Sequence, residues 1–217
     1  MRSVIHAASV LWMTGEGLLE FIDGLSSNLV EGPCTTVFMT PKAKIVDVVD
    51  VVPKDNGVAL IGWGRNKESL LNLLTERSIG RLVNILDVSH LNQVLLSIDQ
   101  PSDEAGVTIH KSFFGWMRIA SVSQSMEPSW TLEEWTEYRI GAVLPYYDHE
   151  INDRYHPLAC GLGALVHEQK GCYVGQELMA RMRSRGRQGH QLVAHNVVVE
   201  GATTAGQTGS LSIQRTQ

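Results

Sequence analysis

The chain has 217 residues, 43% of them hydrophobic, enough for a sizeable core in one large or two small domains. Its net charge of −5 argues against a globally basic nucleic-acid binder. Its three cysteines, Cys34, Cys160 and Cys172, form no CxxC pair and leave an odd count, so neither a disulfide framework nor a complete cysteine-only metal site is read from them.

In chain order, residues 4–13 are too short and too polar, at His6 and Ser9, for a signal peptide, and no apolar run approaches the roughly 20 residues that span a bilayer. A cytoplasmic protein with no membrane role is expected. Residues 35–39, 45–52 and 58–63 are short apolar or β-branched runs, separated by Pro41 and by the turn pair Asn56-Gly57, and they predict antiparallel strands. Asp47 and Asp50 within the second run read as solvated positions on a strand face. Asn66 is placed to cap a helix whose Leu70, Leu71, Leu73 and Leu74 form a core-facing stripe, closed by Gly80, and residues 82–88 return as a strand. Thr131 caps a second predicted helix, with Glu133 and Glu134 in its first turn, running to about Ile140 and stopped by Gly141 and Pro145. A third helix is predicted over residues 175–184, then a strand over 192–199 and a loop-rich end punctuated by Gly201, Gly206 and Gly209. The rhythm is α+β, with no GxGxxG, Walker loop or internal repeat.

The most informative segment is Lys170-Gly171-Cys172-Tyr173-Val174-Gly175-Gln176-Glu177, with Arg181 four residues on. Two glycines permit a tight backbone path before the third helix, whose positive end would face the Cys172 thiol, and Lys170 supplies a neighbouring cation. Both features lower a thiol pKa, so Cys172 is a candidate thiolate; the competing reading is a small buried core residue. Gln176 and Glu177 fit either the site or the capping of first-turn donors, and Tyr173 fits either a ligand wall or packing. Arg181, Arg183, Arg185 and Arg187 give residues 168–187 a local charge of +3, read either as an anion site or as a solvated helix end. The five tryptophans are candidates for the wall of a flat ligand or for core anchors, and the eight histidines show no metal-ligand spacing, so no metal is assigned.

The K-G-C-Y-x-G-Q-E motif resembles the signature of the YgfZ-type folate-binding proteins, relatives of the glycine cleavage T protein. Four further segments agree in order and spacing: Phe21-Ile22-Asp23-Gly24-Leu25-Ser26-Ser27-Asn28-Leu29-Val30, Thr40-Pro41-Lys42-Ala43-Lys44-Ile45-Val46-Asp47, Tyr138-Arg139-Ile140-Gly141-Ala142-Val143-Leu144-Pro145 and His156-Pro157-Leu158-Ala159-Cys160-Gly161-Leu162. The resemblance implies an α+β folate-binding domain of antiparallel sheets and packed helices over residues 1–190, possibly as two subdomains. A short β-rich remnant over 191–217 then stands in place of the longer relatives' C-terminal barrel.

It also implies a tetrahydrofolate-binding accessory protein that supports iron-sulfur cluster assembly or repair, and thereby tRNA-modifying enzymes, with reduced folate and iron-sulfur client or assembly proteins as partners. In that reading Cys172 carries the activity and Lys170 lowers its pKa. Gly171 and Gly175 shape the loop, and Tyr173, Gln176, Glu177 and Arg181 position the loop or the ligand. Cys34 and Cys160 are expected to be replaceable, with a Cys160–Cys172 disulfide as a minor alternative. The competing class is a tetrahydrofolate-dependent aminomethyltransferase. The T protein, however, relies on carboxylates in an N-A-x-x-x-x-x-D and an R-L-E-A-G segment, and here Leu70 and Gly141 fall at those positions, with Glu68 two residues from the first. Direct RNA binding through the arginines has no motif behind it.

Overall fold

The computed structural model describes residues 1–64, 67–186 and 188–216. Its strands are β1 (Ser3–His6), β2 (Ser9–Gly15), β3 (Cys34–Met39), β4 (Ile45–Lys54), β5 (Gly57–Gly62), β6 (Val83–Asp87), β7 (Asn92–Ser97), β8 (Thr108–Ser112), β9 (Gly115–Ser121), β10 (His190–His195), β11 (Thr204–Ala205) and β12 (Ser210–Arg215). The helices are α1 (Leu18–Asp23), α2 (Lys67–Ser78), α3 (Leu132–Ala142) and α4 (Gln176–Arg185). The strands form a five-stranded sheet ordered β3-β4-β5-β2-β6, a four-stranded sheet β1-β7-β9-β8 and a three-stranded sheet β10-β12-β11. Every ladder is antiparallel, as the α+β reading predicts.

Strand β4 organises the molecule because both its faces are covered. Val48 and Val52 join Trp63, Val94, Leu96 and Met117 in the core between the five- and four-stranded sheets. Val49 and Val51 join Leu11, Phe38 and Leu60 beneath α1 and α2, through Phe21, Ile22, Leu70 and Leu74. A strand buried on both faces reads as a continuous apolar run instead of an alternating one. The same geometry corrects the reading of its carboxylates: Asp47 and Asp50 are 1% and 0% exposed, inside the protein and not on a solvated face.

Most predicted elements lie close to their observed bounds. The β4–β5 turn falls one residue earlier than expected, since Lys54 pairs with Gly57 and leaves Asp55 and Asn56 in the loop. Asn66, the expected cap of α2, lies outside the described residues. Thr131 makes a full capping box: its hydroxyl accepts from Glu134 N–H at 3.2 Å while Glu134 Oε2 accepts from Thr131 N–H at 2.8 Å. That helix runs through Gly141 to Ala142 and ends at Val143, which takes the left-handed conformation at φ 53°. The predicted strand over 192–199 is β10, ending at His195, and the segment read as a loop-rich end contains β12. Among the described residues no helix is long and apolar enough to cross a membrane.

Candidate functional site

The cysteine motif forms a loop clamped from below. Lys170 is buried, and its ammonium donates to Asp23 O at 2.7 Å, Asp23 Oδ1 at 2.8 Å, Ser26 O at 2.9 Å and Asn28 O at 2.7 Å. The first of the quoted segments therefore wraps a buried cation supplied by the last. An ammonium can be taken out of water only when its donors are matched and its charge is paired, as here by Asp23. No hydrogen bond or ion pair joins it to the Cys172 thiol among the described residues, so its charge serves the loop's foundation.

Tyr173 is buried in the main core, with the Lys170 ammonium 5.6 Å from its ring centre, and burial pushes its phenol pKa up. Between these two anchors Cys172 stands exposed. The core-residue reading of this cysteine is thereby corrected. Cys160 takes that role: it is buried, its thiol donates to Glu150 O at 3.1 Å, and burial pushes it up to about 12.

The two motif glycines differ. Gly175, at φ 86°, caps α4, and a Cβ there would lie 2.9 Å from Thr40 O, so only glycine lets the loop seat against the turn before β4. A Cβ on Gly171 would meet nothing within 4 Å, so the tight path expected of both glycines belongs to Gly175. Gln176 Nε2 donates to Gly171 O at 3.4 Å and holds the loop's crown. Glu177 and Arg181 pair at 3.3 Å on the outer face of α4. Arg183 donates to Gly163 O at 3.0 Å and Val166 O at 2.7 Å, Arg185 is exposed, and Arg187 lies outside the described residues. Among the described residues Arg183 is thus turned inward to the segment before the motif, away from the outward Arg181 and Arg185.

Across the Thr40 turn from this loop lies a cleft of about 580 Å³, within the range of small-molecule sites. Its floor is Ile45, Val46, Leu73, Tyr147 and Ile151, and Asn72 and Glu76 of α2 stand on its wall. None of the motif residues lines it. Behind Tyr147 sits the carboxyl of Asp47, to which sequence reasoning assigned no function. Its Oδ1 accepts from Gly64 N–H at 2.7 Å, and its Oδ2 finds no partner among the described residues. A Cβ on Gly62 would fall 2.5 Å from that Oδ2 and 2.3 Å from Ser9 Oγ, so the glycine opens a notch between two oxygens without hydrogen-bond partners among the described residues. Burial pushes Asp47 up to about 8 against the pull of the Gly64, Val48 and Trp63 amides. The available signal was a carboxylate flanked by apolar residues on both sides in the sequence.

No family model matches the chain. Over 173 aligned residues, 67% of this chain and 53% of the relative, it is 25% identical to the tRNA-modifying protein YgfZ of Aliivibrio fischeri strain MJ11. A 49-residue stretch is 43% identical to an aminomethyltransferase of Symbiobacterium thermophilum, covering 22% of this chain and 13% of that one. The structure superposes on glycine cleavage system aminomethyltransferase T from Bartonella henselae with a TM-score of 0.78 and 12% identity, over 99% of this chain and 78% of that one. The chain is thus similar in sequence to YgfZ proteins and shares the fold of aminomethyltransferase T. It spans about half the length of the YgfZ relatives it matches. Segments quoted for the resemblance meet in space: the Phe21 segment grips Lys170, the Thr40 turn receives Gly175, and the Cys160 thiol bonds the loop that Arg139 holds through Glu150 at 3.1 Å.

Proposed function

We propose that the chain is a tetrahydrofolate-binding accessory protein of the cytoplasm. It presents Cys172 as a reactive thiol in support of iron-sulfur cluster assembly or repair, and so of tRNA-modifying enzymes. The observation that carries this reading is the presentation of Cys172: an exposed thiol on a loop fixed on one side by a four-fold bonded, buried Lys170 and on the other by the buried ring of Tyr173. Cysteines with only a packing role are among the most buried residues, and this one is lifted out of the surface by its neighbours. The names of the relatives, a tRNA-modifying protein and aminomethyltransferases, support the same direction. One thiolate cannot hold a cluster that needs four ligands, so contact with a cluster is shared with a partner protein.

For the folate, the 580 Å³ cleft fits in size and chemistry. Its apolar floor suits a ring system, and Asn72 and Glu76 offer the acceptors that a pterin's N–H groups require. Gln176, Gly171 and Gly175 hold the loop, while Glu177 and Arg181 stay outward for a partner or the ligand's tail. When bound, the folate supplies one-carbon chemistry. The transferase alternative needs two carboxylates, yet Leu70 is buried among apolar side chains, and Gly141 and Glu68 are exposed.

Anaerobic calorimetric titration with 5-formyltetrahydrofolate tests the ligand, with saturable micromolar binding expected and a roughly ten-fold loss in Glu76→Gln. No heat at several temperatures overturns it. In cells, Cys172→Ser is expected to abolish support of iron-sulfur enzymes while the purified variant melts as the parent does. Normal enzyme activity with that serine would falsify the thiol's role.

A further inference from the structure

Strand β6 is the outer strand of the five-stranded sheet, and its edge lacks the usual protection. Natural edges are blunted by lysine, proline, bulges or covering loops. The run Arg81-Leu82-Val83-Asn84-Ile85-Leu86-Asp87 has neither lysine nor proline, its ladder with β2 is continuous, and it exposes large apolar side chains. Leu82 is 80% exposed and Leu86 58%, with Ile79 beside them at 81%.

The register says which backbone groups face outward. Val88 N–H donates to Val10 O at 2.9 Å, and Leu86 pairs with Trp12. In an antiparallel ladder the hydrogen-bonded positions alternate, so Asn84 and Leu86 turn their amides toward β2, and Val83, Ile85 and Asp87 turn theirs away from the sheet. Those outward groups have no backbone partner among the described residues.

We propose that β6 pairs antiparallel with β6 of a second copy of this chain, about a two-fold axis at Asn84. This register sets Val83 opposite Ile85 of the other copy, and both are outward-facing positions able to exchange two hydrogen bonds. It sets Leu82 opposite Leu86 on the solvent face, twice, turning isolated exposed leucines into a cross-strand apolar cluster beside Trp12. It also sets Arg81 opposite Asp87. Arg81 rests over the Phe21 ring at 5.3 Å and has no carboxylate partner in its own chain among the described residues. Asp87 is held by Lys67 with its side chain 28% exposed, and it gains a second cation. Moving the axis by one residue to Ile85 places Asp87 opposite Val83 and Leu86 opposite Asn84. Both the charge match and the leucine match are then lost, so the sequence is self-complementary in one register.

Sedimentation velocity of the whole chain from about 1 to 100 µM tests this, since a single strand pair buries less than a standard interface and should associate in the micromolar range. The mass is expected to rise from 23.9 kDa toward twice that value. Leu86→Lys, an exposed-site change that leaves the melting temperature in place, is expected to weaken association at least ten-fold. In a Cys172→Ser background, Asn84→Cys should form a covalent dimer on mild oxidation. The directly opposed, non-hydrogen-bonded Cα atoms would lie about 4.5 Å apart, within disulfide reach. A chain that stays at one mass to 100 µM, association untouched by Leu86→Lys, or a dimer that Asn84→Cys does not link each overturns the proposal.

Discussion

Strand β4 carries two carboxylates three residues apart on opposite faces, and they have opposite fates. Asp50, facing the four-stranded sheet, accepts from Thr35 Oγ1 at 2.6 Å, Trp63 Nε1 at 2.6 Å, His110 Nε2 at 3.0 Å and Ser112 Oγ at 3.0 Å. Asp47, facing the helices, accepts from Gly64 N–H, and among the described residues its other oxygen has no partner beside the Gly62 notch. Both are equally buried, so burial does not distinguish them; the supply of donors does. A buried carboxylate with four donors ties strands together, and one left short is held toward its neutral form.

The largest effect is expected from breaking the satisfied member. Asp50→Ala strands one hydroxyl each on Thr35 and Ser112, the Trp63 N–H and the His110 ring in the core between two sheets. Removing one partner of a buried polar network costs about 3–5 kcal/mol. Urea unfolding should show a loss of that size, and Asp50→Asn should recover little, because its amide turns N–H groups toward other donors. A loss under about 1 kcal/mol would mean that the network is not holding the sheets.

The same contrast recurs in the cysteine loop, between the four-fold bonded Lys170 and the unengaged Cys172. Lys170→Met keeps the length and apolar stem but leaves three carbonyls and the Asp23 carboxylate without their cation. A loss of about 3 kcal/mol is expected. Amide hydrogen exchange should show faster opening of residues 170–173 and of the 23–28 segment together. If only one of the two segments loosens, Lys170 is not the joint between them.

These two residues also show what was legible. The α3 cap was readable because Thr131 and Glu134 meet across three residues. The function of Lys170 was not readable, because its four acceptors lie 142 to 147 positions away. Its charge suggested a partner in the adjacent thiol, when the fold supplies one from α1. Strand β12 was hidden for the same reason. Its burial comes from pairing with β10 and β11, and the short alternation Ser210-Leu211-Ser212-Ile213 is masked by the glycines and polar residues around it. Asp47 and Asp50 were misplaced on a solvated face because strand alternation was assumed, although the valines on either side of each already implied two covered faces.

The smallest effect, and the one that separates the two carboxylates most cleanly, is in the pH dependence of stability. Folded Asp47 keeps its proton to about pH 8, and an unfolded carboxyl releases it from the ordinary value of 3.8. Between those values the unfolded chain holds fewer protons, so each rise in pH favours unfolding. His6 works in the opposite sense: burial pushes it down to about 4 from 6.5, so in that interval the unfolded chain binds the proton that the folded chain refuses. The two slopes oppose each other from about pH 4 to 6.5. Above 6.5 Asp47 acts without that opposition, because the raised thiols of Cys34 and Cys160 respond only past their ordinary value of 9.0. Burial also pushes His156 below 6.5 and adds to the His6 slope, so stability should hold or rise from about pH 4 to 6.5 and then fall by about 2 kcal/mol by pH 8. Asp47→Asn keeps an acceptor for Gly64 N–H and cannot ionise, so in that variant the fall should vanish while the lower part of the curve gains the uncancelled His6 slope. Urea midpoints at pH 5, 6.5 and 8 for parent and variant decide it. Parallel curves would show that Asp47 is already ionised in the folded chain, with its free oxygen satisfied in solution.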